Sequence, residues 1–230
     1  MRAKIESKGV PSSKCLILKN WANDELIYPL DPEQSLKATL ELEGRFVVLY
    51  SGNLGVKQGL GMLLDAAALL QAIPSIVFLI VGDGGEKDTL VTRADELGLK
   101  NVRFLSPVPR QDLGRLLAAA DVSVITQKAG IDDLVLPSKL SNILASERPV
   151  VASTQIGSEL ATILLDFECG VVVRPEDGAT LAKVLQMLCD DPTLRAKMGK
   201  NGVSYAHANL AREAILGQLM RDLHEMAQVE

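Results

Sequence analysis

Two lysines stand where a short turn leads from an apolar run into an apolar-periodic one. Lys57 lies in YSGNLGVKQGLG, residues 50–61, between RFVVLY and GMLLDAAALLQA. Lys139 lies in LPSKLSN, residues 136–142, and ILASERPVV follows it. A helix that opens after such a turn presents unpaired backbone N–H groups and the positive end of its dipole, an arrangement that binds anions and phosphate above all. A lysine at the same place adds a mobile positive charge. Gly52 and Gly55 let the backbone of the first turn, at Asn53 and Leu54, approach a ligand closely. Pro137 suits the first turn of a helix, with Ser138 and Lys139 beside it and Asn142 one turn further in. The first turn is neither a P-loop, which ends in GK[ST], nor the GxGxxG fingerprint. Taken alone, the first also reads as a strand-to-helix turn with a surface lysine, and the second as a capped helix behind a solvated acidic loop containing Asp132 and Asp133.

Two further loops join them. In IVGDGGEKDTL, residues 80–90, Gly82, Gly84 and Gly85 again separate an apolar run from a helical pattern. Either Asp83 turns or caps the chain there, or the glycines keep space open beside a bound nucleotide. In VRFLSPVPRQDL, residues 102–113, a strand ends in Phe104 and Leu105 and a proline-bounded loop follows, whose backbone groups suit the edge of a base. Asp112 reads as a first-turn acid. Together the loops say more than singly. Two lysine-bearing helix starts converging on one diphosphate, spacious glycines and a base-reading loop are what a nucleoside diphosphate sugar requires.

The elements that position these loops alternate. Strand-like runs are Cys15–Leu18, Phe46–Tyr50, Ile76–Val81, Val102–Leu105, Val122–Thr126, Val150–Ser153 and Gly170–Val173. Helix-like runs fall at about Lys57–Ala72, Glu86–Leu97, Gln111–Ala120, Ser138–Ser146, Ser158–Leu165 and Ala179–Asp190. This βα repeat predicts an α/β fold, a Rossmann-like doubly wound parallel sheet whose ligands lie at the carboxyl ends of the strands. The composition agrees: 47% of the 230 residues are apolar but only 3% aromatic, so the core is aliphatic, as a sheet covered on both faces demands. Residues 1–44 end in a connector without period, 45–190 carry the repeat, and 191–230 are helical throughout.

Several function classes drop out. A net charge of −5 with mixed signs, and no basic block, argue against nucleic acid. Cys15, Cys169 and Cys189 lack metal-type spacing, and their odd number, with no signal peptide in the sequence, points to a reducing cytoplasm. No apolar run is long enough to span a bilayer. His207 and His224 both fall in the C-terminal helical region, which disfavours a metal site or a Ser-His-Asp triad.

The segments SGNLGVKQGL, VGDGG, VRFLSPVPRQDL, AADV and LPSKLSNILASERPVVAS stand in the order seen in retaining glycosyltransferases of the GT-B fold. The chain resembles the second half of glycosyltransferase family 4 enzymes, bacterial exopolysaccharide enzymes of the colanic-acid type in particular, over roughly Ile5 to Asp222. The resemblance implies a donor-binding half, with the final helices crossing back toward a first domain. In the family a basic residue and a lysine of the first loop neutralise the donor diphosphate; Lys57 matches the lysine, and Asn53 stands where many members have arginine. The family's base-reading segment matches Phe104–Val108. Of two family glutamates eight residues apart, the second falls at Asn142, which still hydrogen-bonds ribose hydroxyls, and the first at Leu134, which makes neighbouring Asp133 the substitute.

The implied function is transfer of a hexose from a GDP- or UDP-linked sugar to a glycan or lipid-linked acceptor in polysaccharide biosynthesis. No metal or cofactor is implied, since protein cations and dipoles hold the diphosphate. The intact enzyme would associate peripherally with the inner face of the membrane, its acceptor brought by the first domain. An uncovered cleft wall is expected to carry an apolar patch on which copies self-associate. Two alternatives remain: a sugar-nucleotide-binding module without catalysis, or one subunit of a split transferase. A sugar-nucleotide epimerase ranks below both, because its acid/base chemistry often uses histidine.

Overall fold

A computed structural model describes residues 5–23, 25–130 and 136–227 of the chain. Its centre is a six-stranded parallel sheet: β1 Phe46–Ser51, β2 Ile76–Val81, β3 Val102–Leu105, β4 Val122–Thr126, β5 Val150–Ser153 and β6 Gly170–Val173. The strand sequences FVVLYS and IVFLIV show no polar alternation because both of their faces are covered. β1 and β2 pair in register from Phe46 opposite Ile76 to Ser51 opposite Val81. The spatial order is β3-β2-β1-β4-β5-β6. The chain therefore winds outward from β1 to β3, crosses back, and winds the other way from β4. The crevice between β1 and β4, at their carboxyl ends, is the topological switch point where such sheets bind ligands.

The helices are α1 Gly61–Leu69, α2 Lys87–Glu96, α3 Leu113–Ala119, α4 Lys139–Ala145, α5 Glu159–Asp166, α6 Gly178–Asp190, α7 Pro192–Asn209 and α8 Arg212–Ala227. Along β1 the side chains divide by parity. Phe46, Val48 and Tyr50 pack with α1, α2 and α6. Val47 and Leu49 pack with α3, α4 and α5. Caps fix where the later helices begin: Ser158 Oγ accepts from Ala161 N at 3.1 Å, Asp177 Oδ1 from Thr180 N at 2.8 Å, and Asp191 Oδ1 from Leu194 N at 2.8 Å.

The connector is built into the second of these layers. Ala22, Ile27, Leu36 and Leu42 are buried there, and Leu36 N donates to Arg115 O at 3.1 Å. It runs so close to α3 that a Cβ on Gly114 would lie 2.7 Å from Leu26 O. Asp121, between α3 and β4, joins connector to sheet: it accepts from Lys37 Nζ at 2.7 Å and from Val47 N at 2.9 Å. The chain's later helices return to the same place. Tyr205 and Leu210 join this layer, and Ala22 N donates to Leu210 O at 3.0 Å.

Two expectations are corrected. Cys15–Leu18 is no strand: Leu16, Ile17 and Leu18 are exposed, and the sheet among the described residues does not include them. β-branched and aliphatic composition makes a strand only where a neighbour supplies the ladder. The helix expected over Lys57–Ala72 is instead a 3-10 turn, Val56–Gln58, followed by α1. Gly59, with φ +59°, adopts the left-handed conformation that stops the turn. Among the described residues, no helix is long and apolar enough to cross a membrane.

Candidate functional site

The switch-point crevice contains a cavity of about 270 Å³. Leu49 and Ser51 of β1 and Ser123 of β4 form its floor, Leu113 and Leu117 of α3 one wall, and Ser138, Lys139, Asn142 and Ile143 the other. Ser123 is 1% exposed, and its hydroxyl oxygen has no partner among the described residues. A buried hydroxyl without a partner beside a cavity is a place for a polar ligand or for water.

Lys139 lines this crevice with its stem, and its ammonium stands beside Gly52, just past the end of β1. It springs from α4 and reaches across the end of β1 to the far side of the sheet, where its Nζ lies 3.8 Å from the centroid of the Tyr50 ring. Gly52 is the notch that lets it through, since a Cβ there would stand 2.9 Å from Nζ. No carboxylate pairs with Lys139 among the described residues. Burial lowers its pKa to about 8. The ring that receives it is 1% exposed, and the Tyr50 hydroxyl donates to Asn53 O at 2.8 Å, which ties down the turn. Burial also pushes the Tyr50 hydroxyl pKa well above its usual value.

The two glycine loops interlock. Gly52 N donates to Val81 O at 2.9 Å, Leu54 N to Asp83 O at 2.8 Å and Glu86 N to Leu54 O at 2.8 Å. A Cβ at Gly82 would overlap the Gly52 carbonyl, and one at Gly84 would lie 2.5 Å from Leu54 O. The space these glycines leave is thus filled by the neighbouring loop's backbone, not held open for a ligand. Leu54 has a fully buried side chain, and its N–H and carbonyl are both paired within these loops. Asn53 is exposed at the tip of the turn.

Lys57 and Lys139 stand in different settings. Lys57 is exposed on its 3-10 turn, with its carbonyl accepting from Lys128 N at 2.9 Å. It is an exposed surface charge, while Lys139 is partly enclosed. Phe104 and Leu105 are half-buried and pack on opposite faces of the sheet, and Leu105 O accepts from Gly82 N at 3.0 Å. The open backbone of the base-reading segment lies beyond them, at Ser106–Val108, which makes no main-chain hydrogen bond among the described residues. Pro137 is half-buried and Ser138 exposed at the crevice mouth. Asn142 lines the crevice, and its Oδ1 accepts a long bond, 3.4 Å, from Asn23 N. Asp133 and Leu134 lie outside the described residues. Among the described residues there is no group of three His, Cys, Asp or Glu placed to hold a metal ion.

Sequence reasoning missed Tyr50 and Ser123. Ser123 carried a signal, as a polar residue between two valines in the buried run VSVIT. Tyr50 carried none, because an aromatic ending a strand is ordinary core.

The family of glycosyl transferases group 1 matches residues 31–204. WcaI of Escherichia coli K12, named as a colanic acid biosynthesis glycosyl transferase, is 34% identical over 229 residues, 97% of this chain and 54% of that protein. WbjE of Pseudomonas aeruginosa, named as a glycosyltransferase, is 27% identical over 83% of this chain and 48% of its own length. The chain thus spans about half the length of these relatives. Among solved structures, HepE of Anabaena in complex with UDP superimposes with a TM-score of 0.85 at 23% identity, over 97% of this chain and 61% of that one. The C-terminal domain of LpcC, a group 1 family protein from Francisella tularensis, has a TM-score of 0.68 at 21% identity, over 83% of this chain and 99% of that domain.

Proposed function

Since the chain belongs to the glycosyl transferases group 1 family, we propose that it is the donor-binding half of a retaining transferase. That enzyme moves a hexose from a GDP- or UDP-linked sugar to a glycan or lipid-linked acceptor in polysaccharide synthesis, at the inner face of the membrane. The observation that carries this reading is Lys139, a partly enclosed ammonium without a carboxylate among the described residues, at the carboxyl end of β1 beside the switch-point crevice. A buried cation costs stability unless an anion completes it. The donor diphosphate is that anion.

As the glycosidic bond breaks, negative charge grows on the departing diphosphate. A partly enclosed ammonium beside the crevice stabilises that charge more than the ground state, which is how such a group accelerates transfer. Ser123 and Asn142 supply polar contacts along the crevice, Asn142 at the ribose hydroxyls, and Ser106–Val108 offers free backbone to the base edge. Lys57 adds long-range attraction from the surface, and Asp133 remains the candidate carboxylate near the sugar. The HepE complexes with UDP and with UDP-glucose support the ligand class.

Thermal unfolding and calorimetry with UDP, GDP and ADP test the reading. A nucleotide at a hundredfold excess over its dissociation constant adds about 2.7 kcal/mol, which raises Tm by roughly 5–11 °C for a chain of this size. One of UDP or GDP gives that shift, Lys139→Met removes it, and Lys57→Ala weakens binding only a few-fold and chiefly at low salt. No shift with any nucleotide at millimolar concentration defeats the donor-site reading.

A further inference from the structure

A second cavity, of about 230 Å³, lies beside the crevice and shares Leu113, Ser138 and Asn142 with it. Its outer side is formed by the connector, through Asn20, Trp21 and Asn23, and by Arg110 at the entry to α3. Trp21 is the chain's sole tryptophan, and it is 37% exposed although only 3% of the residues are aromatic. Its backbone is fixed on the C-terminal side: Ala22 is buried and donates to Leu210 O, and Asn23 N donates to Asn142 Oδ1. The side chains of Asn20, Asn23 and Arg110 have no hydrogen-bond partner among the described residues. An indole face, a guanidinium and two free amides around one cavity are chemically specific. The indole and guanidinium stack on flat π-systems, and the amides both donate and accept along an edge.

Position adds to chemistry. Lys139 lines the crevice, and Ser138 and Asn142 form the wall common to both cavities. A ligand whose anionic end meets the Lys139 ammonium at the end of β1, and whose body follows the shared wall of Ser138 and Asn142, reaches Trp21. Resting on the donor-site reading above, we infer that Trp21 stacks on the nucleobase of the donor, so that the connector closes the base subsite opposite the Ser106–Val108 backbone. Base choice is then made between the two segments, with Asn20, Asn23 and Arg110 reading the base's edge.

A lone tryptophan makes the test direct. The full chain is titrated with UDP, GDP, inorganic pyrophosphate and glucose 1-phosphate, followed in parallel by intrinsic fluorescence and by calorimetry. The expected result is that the preferred nucleotide quenches Trp21 fluorescence along its calorimetric isotherm, while pyrophosphate binds more weakly and leaves the emission unchanged. Trp21→Ala weakens the nucleotide roughly 5- to 150-fold, the range of one base–aromatic stack, and leaves pyrophosphate affinity unchanged; Trp21→Phe recovers most of the loss. A nucleotide that binds by calorimetry without moving the emission, and equally well to Trp21→Ala, overturns the stacking assignment and leaves the donor site standing. Quenching by glucose 1-phosphate but not by nucleotide overturns it in favour of a sugar platform. Absence of any nucleotide binding by calorimetry overturns both.

Discussion

Lys139→Met separates what the lysine does for the fold from what it does for the ligand. The drop in its pKa from the ordinary 10.5 to about 8 corresponds, at 1.36 kcal/mol per pH unit, to about 3 kcal/mol of unfavourable burial. The Tyr50 ring, 3.8 Å away, offsets up to about 2 kcal/mol of that as a desolvated cation–π contact. Methionine keeps the apolar stem without the charge, so the variant gains about 1 kcal/mol at pH 7, and its Tm rises by roughly 2–4 °C. Affinity for UDP or GDP falls at the same time by two orders of magnitude or more, as expected on losing a partly enclosed ion pair with a diphosphate. The pH dependence carries the charge signature. Native Lys139 releases its proton at a lower pH than the unfolded chain, which does so near 10.5. Between the two pH values the unfolded state holds more protons, so stability rises with pH in the wild type relative to the variant. Taking the difference between the two proteins cancels the opposing titration of Cys169, whose pKa burial raises. Urea unfolding at pH 7, 8, 9 and 10, with nucleotide calorimetry on both proteins, measures all three quantities. A variant destabilised by more than 1 kcal/mol, or one binding nucleotide within twofold of wild type, would refute the reasoning.

Gly82→Ala forces a methyl group into the Gly52 carbonyl and destabilises by about 3 kcal/mol or more, at the upper end of overpacking. Gly85→Ala, in open space in the same loop, stays within about 0.5 kcal/mol; urea midpoints compare them, and equal losses would contradict the interlocked-loop account. Asp121→Ala strands Lys37 and the Val47 N–H and costs about 2–4 kcal/mol by the same assay. Asp121→Asn, which keeps an acceptor for Val47, costs less.

Five of the six strands ended where the sequence reading put them, and β1 ran one residue further, to Ser51. Continuous apolar runs bounded by glycine, proline and charge have few other solutions in a doubly wound sheet. Cys15–Leu18 failed for the converse reason: its composition suits a strand, but pairing is a property of neighbours, and among the described residues it joins no sheet. Gly52, Gly82 and Gly84 were visible as special positions without their partners being visible, because a glycine announces close approach and not what approaches. Lys57 and Lys139 looked alike in sequence. Burial distinguished them, and burial depends on β1 and α4 meeting across a notch 87 residues apart along the chain. Ser123 and Tyr50 gained meaning only once Lys139 was placed beside them.

The hydrogen bond from Ala22 to Leu210 sets the connector beside the end of α7, so the stretch 22–210, which holds the whole sheet, begins and ends at one place. A body whose entrance and exit touch behaves as a cassette. It can be spliced into a surface loop of an unrelated host without stretching either chain, and its ends can be joined and new ones opened at an exposed turn. The loop tip at Gly85, with open space around it, is such a place to open it. The recombined molecule would keep the parallel sheet and the crevice, and it would alter only the order in which the strands are made.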